Sequence, residues 1–403
     1  VTRRVVTSAL TGVLSVGALL AGGCSGDEYV APPPATRSDA ADPTVATATL
    51  AALRDALDDP GAAADLGADD ESADLLAALA RNATALRLED VSLGYVTETG
   101  ATDGDDGWDG LVSVSWRVDG FDRAAARTEV AVSFDDGGRT IAGVAAAERR
   151  LPLWLTGPLV VRRVPGALVM AAGEPEVADR YAERAARAVA ATRPLLGRGD
   201  GLVVEVPEDG EQLHRVLGAD RGAYDSIAAV TAPVDGTTAP RSPVHVFVNR
   251  AVLDGLDRVA AQVVMTHEAV HAVTGAVGAR NAPLWLVEGF ADHVALRDVD
   301  LPESRTAAQV IRQVKRDGLP DRLPADSDFS PGAGHLGTLY EGAWQVAETL
   351  ADRGGDDALA TLYREVLDGA GTADALRRGF GWSEDDLLAA WRSRLAALAG
   401  VPE

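Results

Sequence analysis

The sequence predicts an α+β fold in two folded parts, on three observations. Between residues 45 and 83 apolar side chains recur at helical spacing, and from 86 to 172 the spacing changes to period two. From about residue 174 the pattern is again mostly helical, with room for a small sheet. All six histidines (214, 245, 267, 271, 293 and 335) fall in that last part, which is where metal chemistry is to be sought. A chain of 403 residues that is 47% hydrophobic has the length for two domains and the apolar content for real cores.

Residues 1–24 read VTRRVVTSALTGVLSVGALLAGGC. Arg3 and Arg4 precede an apolar run over 5–22, and the small residues Ala21, Gly22 and Gly23 lead into Cys24, the only cysteine. No internal disulfide is therefore expected. The layout is that of a secretory signal and resembles a bacterial lipobox, although Ala21 stands where leucine is usual. A membrane anchor is the other reading, but the small residues and the cysteine favour cleavage and lipidation at Cys24. The chain is thus expected on the outer face of the cytoplasmic membrane. Residues 25–44, rich in Pro, Ala and charge, read as a disordered tether. The net charge of -24 repels phosphate backbones, so no nucleic-acid partner is expected. It also repels anionic lipid, which leaves the lipid on Cys24 to hold the chain at the membrane.

In the first folded part, 45–172, Leu50, Leu53 and Leu57 share one helical face, and Leu75, Leu76 and Leu79 another. Val112, Val114, Trp116 and Val118 alternate with polar residues, as do Val130, Val132 and Phe134. The DDGG at 135–138 is a hairpin signal. Residues 159–161 and 167–170 read as further strands. Helices followed by an antiparallel sheet resemble the cystatin-like or NTF2-like shape. No catalytic constellation is visible there.

The second part, 173–403, opens with a helix over 175–195, then strands over 201–206 and 243–249. A helix over 257–274 stops at Gly275. Asn281 can cap the next helix and Pro283 suits its first turn. Helices follow over 339–352, 356–368, 372–379 and 384–398. No internal repeat is present.

The helix over 257–274 contains HEAVH. Residues four apart lie one above the other, so His267 and His271 can offer two ring nitrogens to one ion. Glu268, rotated by about 100°, can stand beside that ion without ligating it, as a base acting on water must. Zinc needs a third protein ligand and an open position. Glu288 lies 16 intervening residues downstream, room for a turn and an antiparallel helix. Asp292, one turn further on the same face, can accept a hydrogen bond from a ligating histidine. Val263, Val264, Val270 and Val273 are then the helix's packing surface.

HEAVH followed by EGFAD resembles the gluzincin zinc peptidases, thermolysin-like in design, and PLWLVEGFAD resembles bacterial members of the broad peptidase MA superfamily. The resemblance covers roughly 175–400, strongest over 263–293, with a shorter spacing before the third ligand than in the best-known members. It implies a mostly helical metallopeptidase domain with a small sheet. In it His267, His271 and Glu288 hold Zn2+, Glu268 is the general base, and Asp292 steadies the first histidine. Tyr340 resembles the tyrosine that supports the oxyanion, with His335 as the alternative donor. The strand 243–249 is expected to pair with the substrate backbone. No GAMEN-like exopeptidase motif is present, so an endopeptidase acting on a peptide or protein is expected. Two rival readings stand beside it. One is a catalytically inactive surface lipoprotein that uses a peptidase-like scaffold to bind protein, and the other a zinc hydrolase acting on another bond. His293 is expected to point off the metal face, His245 to the far side of its strand, and His214 to the surface.

Overall fold

A computed structural model describes residues 41–101, 107–148, 150–197, 201–237, 242–279, 281–329 and 336–402. The signal-like segment, Cys24, most of the tether and His335 lie outside the described residues. The chain is α+β: a four-stranded antiparallel sheet, then a mixed sheet, then a mostly helical C-terminal region. Among the described residues no helix is long and apolar enough to cross a membrane.

Helices α1 (Pro43–Asp55), α2 (Pro60–Ala64) and α3 (Asp70–Leu86) come first, each started by an aspartate side chain that accepts backbone N–H groups. They precede β1 (Leu88–Ala101), β2 (Trp108–Val118), β3 (Ala126–Asp135) and β4 (Thr140–Ala146), paired in sequence order. The period-two pattern sets the register. Val112 faces Val130, and Val112, Val114, Trp116, Val130, Val132 and Phe134 are all buried in one cluster with Leu50, Leu53, Leu76 and Leu79. Gly137 and Gly138 both take positive φ in the turn from β3 to β4, as the DDGG signal requires.

The second sheet is built from β5 (Leu159–Val164), β6 (Ala167–Ala172), β7 (Leu202–Val206), β8 (Ala229–Pro233) and β9 (Val244–Val248), in the order β5-β6-β7-β9-β8. The sheet runs across the division expected at 172/173, because β6 pairs in parallel with β7. All six positions of β6 are buried, a continuous apolar run suited to a strand covered on both faces. Ala167, Val169, Val204 and Val246 pack against α4 (Pro175–Leu196) and α7 (Arg258–Thr274). Leu168, Met170, Val203 and Phe247 join the cluster of the first sheet and its helices. Helix α5 (Gly210–Leu217) lies between β7 and β8, and α6 (Arg250–Leu253) follows β9.

His245 shares the second of those faces with Phe247. It is 1% exposed, with Nδ1 2.7 Å from Glu205 of β7 and Nε2 3.1 Å from Asp122 in the loop after β2. Burial alone disfavours the imidazolium, but the Asp122 and Glu205 carboxylates outweigh it and push the pKa up to about 9. A pKa raised on folding contributes stability that is fully present below the ordinary value of 6.5 and is lost as pH rises through about 9. The midpoint of urea unfolding is therefore expected to fall between pH 6.5 and 9, and Asp122→Asn to shift that fall to lower pH. A flat midpoint over this range would contradict the charged state of His245.

The remaining helices are α8 (Leu284–Leu296), α9 (Glu303–Thr306), α10 (Ala308–Asp317), α11 (Leu336–Gly354), α12 (Asp356–Leu367), α13 (Thr372–Phe380) and α14 (Glu384–Ala399). They gather around Phe290, Trp344, Leu350, Tyr363 and Trp391. The start of α8 differs from expectation. Asn281 does not cap it; Pro283 occupies the cap position, and the Leu284 N–H donates to Asp326 at 2.8 Å.

Candidate metal centre

Helix α7 starts where Asp257 accepts the N–H groups of Val259 and Ala260, and ends at Gly275 with φ +67°. It turns Ala261, Met265 and Ala269 to the second sheet and Val270 to the helical cluster. The valines expected to form the packing surface do so only in part: Val263 and Val264 are half-buried, whereas Val270 and Val273 are buried. A helix packed on two sides is held in position, and its remaining face carries His267 and His271.

Helix α8 brings Glu288 to that face. The Nε2 atoms of His267 and His271 lie 3.0 Å apart, and Glu288 Oε2 lies 3.1 Å from the first and 3.4 Å from the second. Tetrahedral zinc with bonds of about 2.0–2.1 Å needs donor atoms about 3.3 Å apart, so the three atoms suit one such ion after shifts of a few tenths of an ångström. Among the described residues this is the one group of three or more His, Cys, Asp or Glu side chains placed to share an ion. Two imidazoles and a carboxylate suit zinc chemically.

Asp292 accepts a hydrogen bond from His267 Nδ1 at 2.8 Å. That bond fixes the ring and leaves the Nε2 lone pair for an ion. Burial opposes charge on His267, but Asp292 and Glu288 outweigh it and hold its pKa well above the imidazole range. Burial likewise opposes the Glu288 carboxylate, yet hydrogen bonds and charge from His267 and His271 hold its pKa well below the usual carboxylate range. The site is thus organised around positive charge, which a divalent ion can supply in place of a proton. Replacing Asp292 with alanine is expected to weaken zinc binding by about 10- to 100-fold, read by competition with a chromogenic chelator. Unchanged affinity would show that the ring does not need this partner.

Glu268 stands next to His267 in sequence but outside the trio. The Thr231 hydroxyl donates to its Oε2 at 2.6 Å. Tyr340, in α11, places its ring edge-on to His267 with centroids 6.3 Å apart. Burial, then the carboxylates of Glu288, Asp292 and Glu268, raise the Tyr340 pKa, so its hydroxyl stays a neutral donor. The alternative donor, His335, lies outside the described residues.

Two expectations need correction. The strand 243–249 is not at an edge: β9 lies between β7 and β8, which makes β8 one of the sheet's two edge strands. β8 is also the strand that touches Glu268, and it was missed at the sequence level. Its signal was the short apolar run AAVTA, closed by Pro233. His214 is buried rather than on the surface, at 8% exposure. His293 does point away from the trio and is held by Glu348 at 2.8 Å. A cavity of about 610 Å³ lies past the C-terminal end of α7, lined by Phe121, Pro233, Thr274 and Gly275, and none of His267, His271 and Glu288 lines it. No protein-family model matches the chain, and no curated protein matches it in sequence.

Proposed function

We propose that the chain is a zinc-dependent endopeptidase of the gluzincin kind, tethered outside the cytoplasm by lipid on Cys24. The observation that carries this reading is the convergence of His267, His271 and Glu288 donor atoms within 3.4 Å, with Glu268 next to His267 in sequence and outside the trio. When bound, zinc supplies Lewis acidity to the attacking water and the scissile carbonyl. Glu268 takes the proton from that water and passes it to the departing amide nitrogen. Tyr340 donates a hydrogen bond to the developing oxyanion. Asp292 keeps the His267 ring in the orientation and tautomer that binding needs. The outer edge of β8 offers its backbone groups to an extended peptide.

The test is elemental analysis of the purified protein together with digestion of a peptide library, with and without a chelator. One zinc per chain and cleavage that stops with chelator and returns with zinc are expected. Protein free of zinc, or cleavage indifferent to the chelator, would overturn the reading.

A further inference from the structure

Glu268 is a long, half-buried side chain with three rotatable bonds before its carboxylate, and the reaction needs that carboxylate in one place. Thr231 is 8% exposed, and its strand is fixed by antiparallel pairing of β8 with β9, in which Thr231 faces Val246. A β-branched side chain in a strand has little freedom at χ1. Its hydroxyl lies 2.6 Å from Glu268 Oε2 and 3.0 Å from the Glu268 main-chain oxygen. The hydroxyl carries one proton for two acceptors. The main-chain oxygen sits within α7 and has a helical N–H four residues on as its partner. The proton therefore goes to Oε2, the nearer and charged acceptor.

We propose that Thr231 is the positioning residue for the general base: it holds Oε2 and so reserves Oε1 for the proton of the attacking water. This rests on the peptidase reading above. As the water oxygen bonds to the carbonyl carbon, one of its O–H bonds breaks and the proton moves to Oε1. It leaves Oε1 for the amide nitrogen as the C–N bond breaks, and Oε2 keeps its bond to Thr231 throughout. The sheet edge that is placed to align the substrate thus also aligns the base, so the two are set in one frame.

The test compares native protein with Thr231→Val and Thr231→Ser on a peptide that the native protein cuts, with zinc content measured for each. Thr231→Val is expected to lower kcat by about 10- to 100-fold with KM within about twofold, as for loss of a positioning contact. Thr231→Ser keeps the hydroxyl and is expected to stay within about threefold of native. All three should carry the same zinc. A second readout does not depend on activity: urea unfolding of Thr231→Val, Glu268→Ala and the double variant, in protein as purified. The valine substitution is expected to lower the midpoint more when Glu268 is present than when it is alanine. An unchanged kcat in Thr231→Val, an equal loss in valine and serine variants, or additive midpoints would overturn the assignment to Thr231. A native zinc protein that cuts no peptide would instead overturn the peptidase reading, and the unfolding cycle would still decide whether the contact exists.

Discussion

Replacing Glu268 with glutamine is expected to lower kcat for peptide hydrolysis by about 10³-fold while one zinc stays bound per chain. The substitution changes little besides the ability to carry a proton. Glutamine has nearly the volume of glutamate, and its amide oxygen can still accept the Thr231 hydroxyl that now reaches Oε2 at 2.6 Å. The candidate ligand atoms of His267, His271 and Glu288 are untouched, and so is the bond from His267 to Asp292. What disappears is a basic oxygen beside the ion, and an amide cannot take a proton from water near neutral pH. Elemental analysis and steady-state kinetics on the same preparation give the answer. Loss of zinc would mark Glu268 as a ligand. Retained zinc with native activity would place the base elsewhere.

The centre was legible in the sequence because its parts are local. The i, i+4 spacing puts two histidines on one face of a helix whatever surrounds it, and ExxxD repeats that geometry on the next helix. Tyr340 needed one further long-range contact, the packing of α11 beside the trio, and the structure supplies it through the His267 ring. What the sequence hid was what depends on pairing between distant segments. β8 is five residues long with a weak alternation, and only its place beside β9 makes it an edge. β5 and β6 read correctly as strands, yet their local pattern carries no sign of which sheet they join. β7, some 30 residues beyond β6 in the chain, settles that by parallel pairing. His245 and His214 show the same limit for polar groups. A histidine between apolar residues looks alike whether its face meets water or, as for His245, two buried carboxylates from other segments.

Gly289, the glycine of EGFAD, is the position where a single methyl group is expected to damage fold and site together. Helices α8 and α11 cross there so closely that a Cβ at 289 would lie 2.2 Å from the Ala343 carbonyl oxygen and 2.7 Å from its carbon. Those are backbone atoms in the middle of a helix and cannot rotate aside, so the helices must part. Alanine has an opposing benefit of about 1 kcal/mol from helix propensity. Overpacking of a rigid contact costs about 3 kcal/mol or more, so the clash wins and Gly289→Ala is expected to be destabilised by about 2 kcal/mol or more in urea unfolding. The second effect follows from what sits beside the glycine. Glu288 and Asp292 ride on α8 while His267 and His271 ride on α7, so a displaced α8 opens the 3.1 Å and 2.8 Å contacts between them. Zinc affinity is therefore expected to fall with stability. Gly342 on α11 is the control: a Cβ there would meet the Trp391 ring at 3.6 Å, an ordinary contact. Gly342→Ala is expected to leave zinc affinity unchanged and to raise stability by up to about 1 kcal/mol, as helix propensity alone dictates. Equal behaviour of the two variants would mean that close helix crossing does not set the geometry of the third ligand.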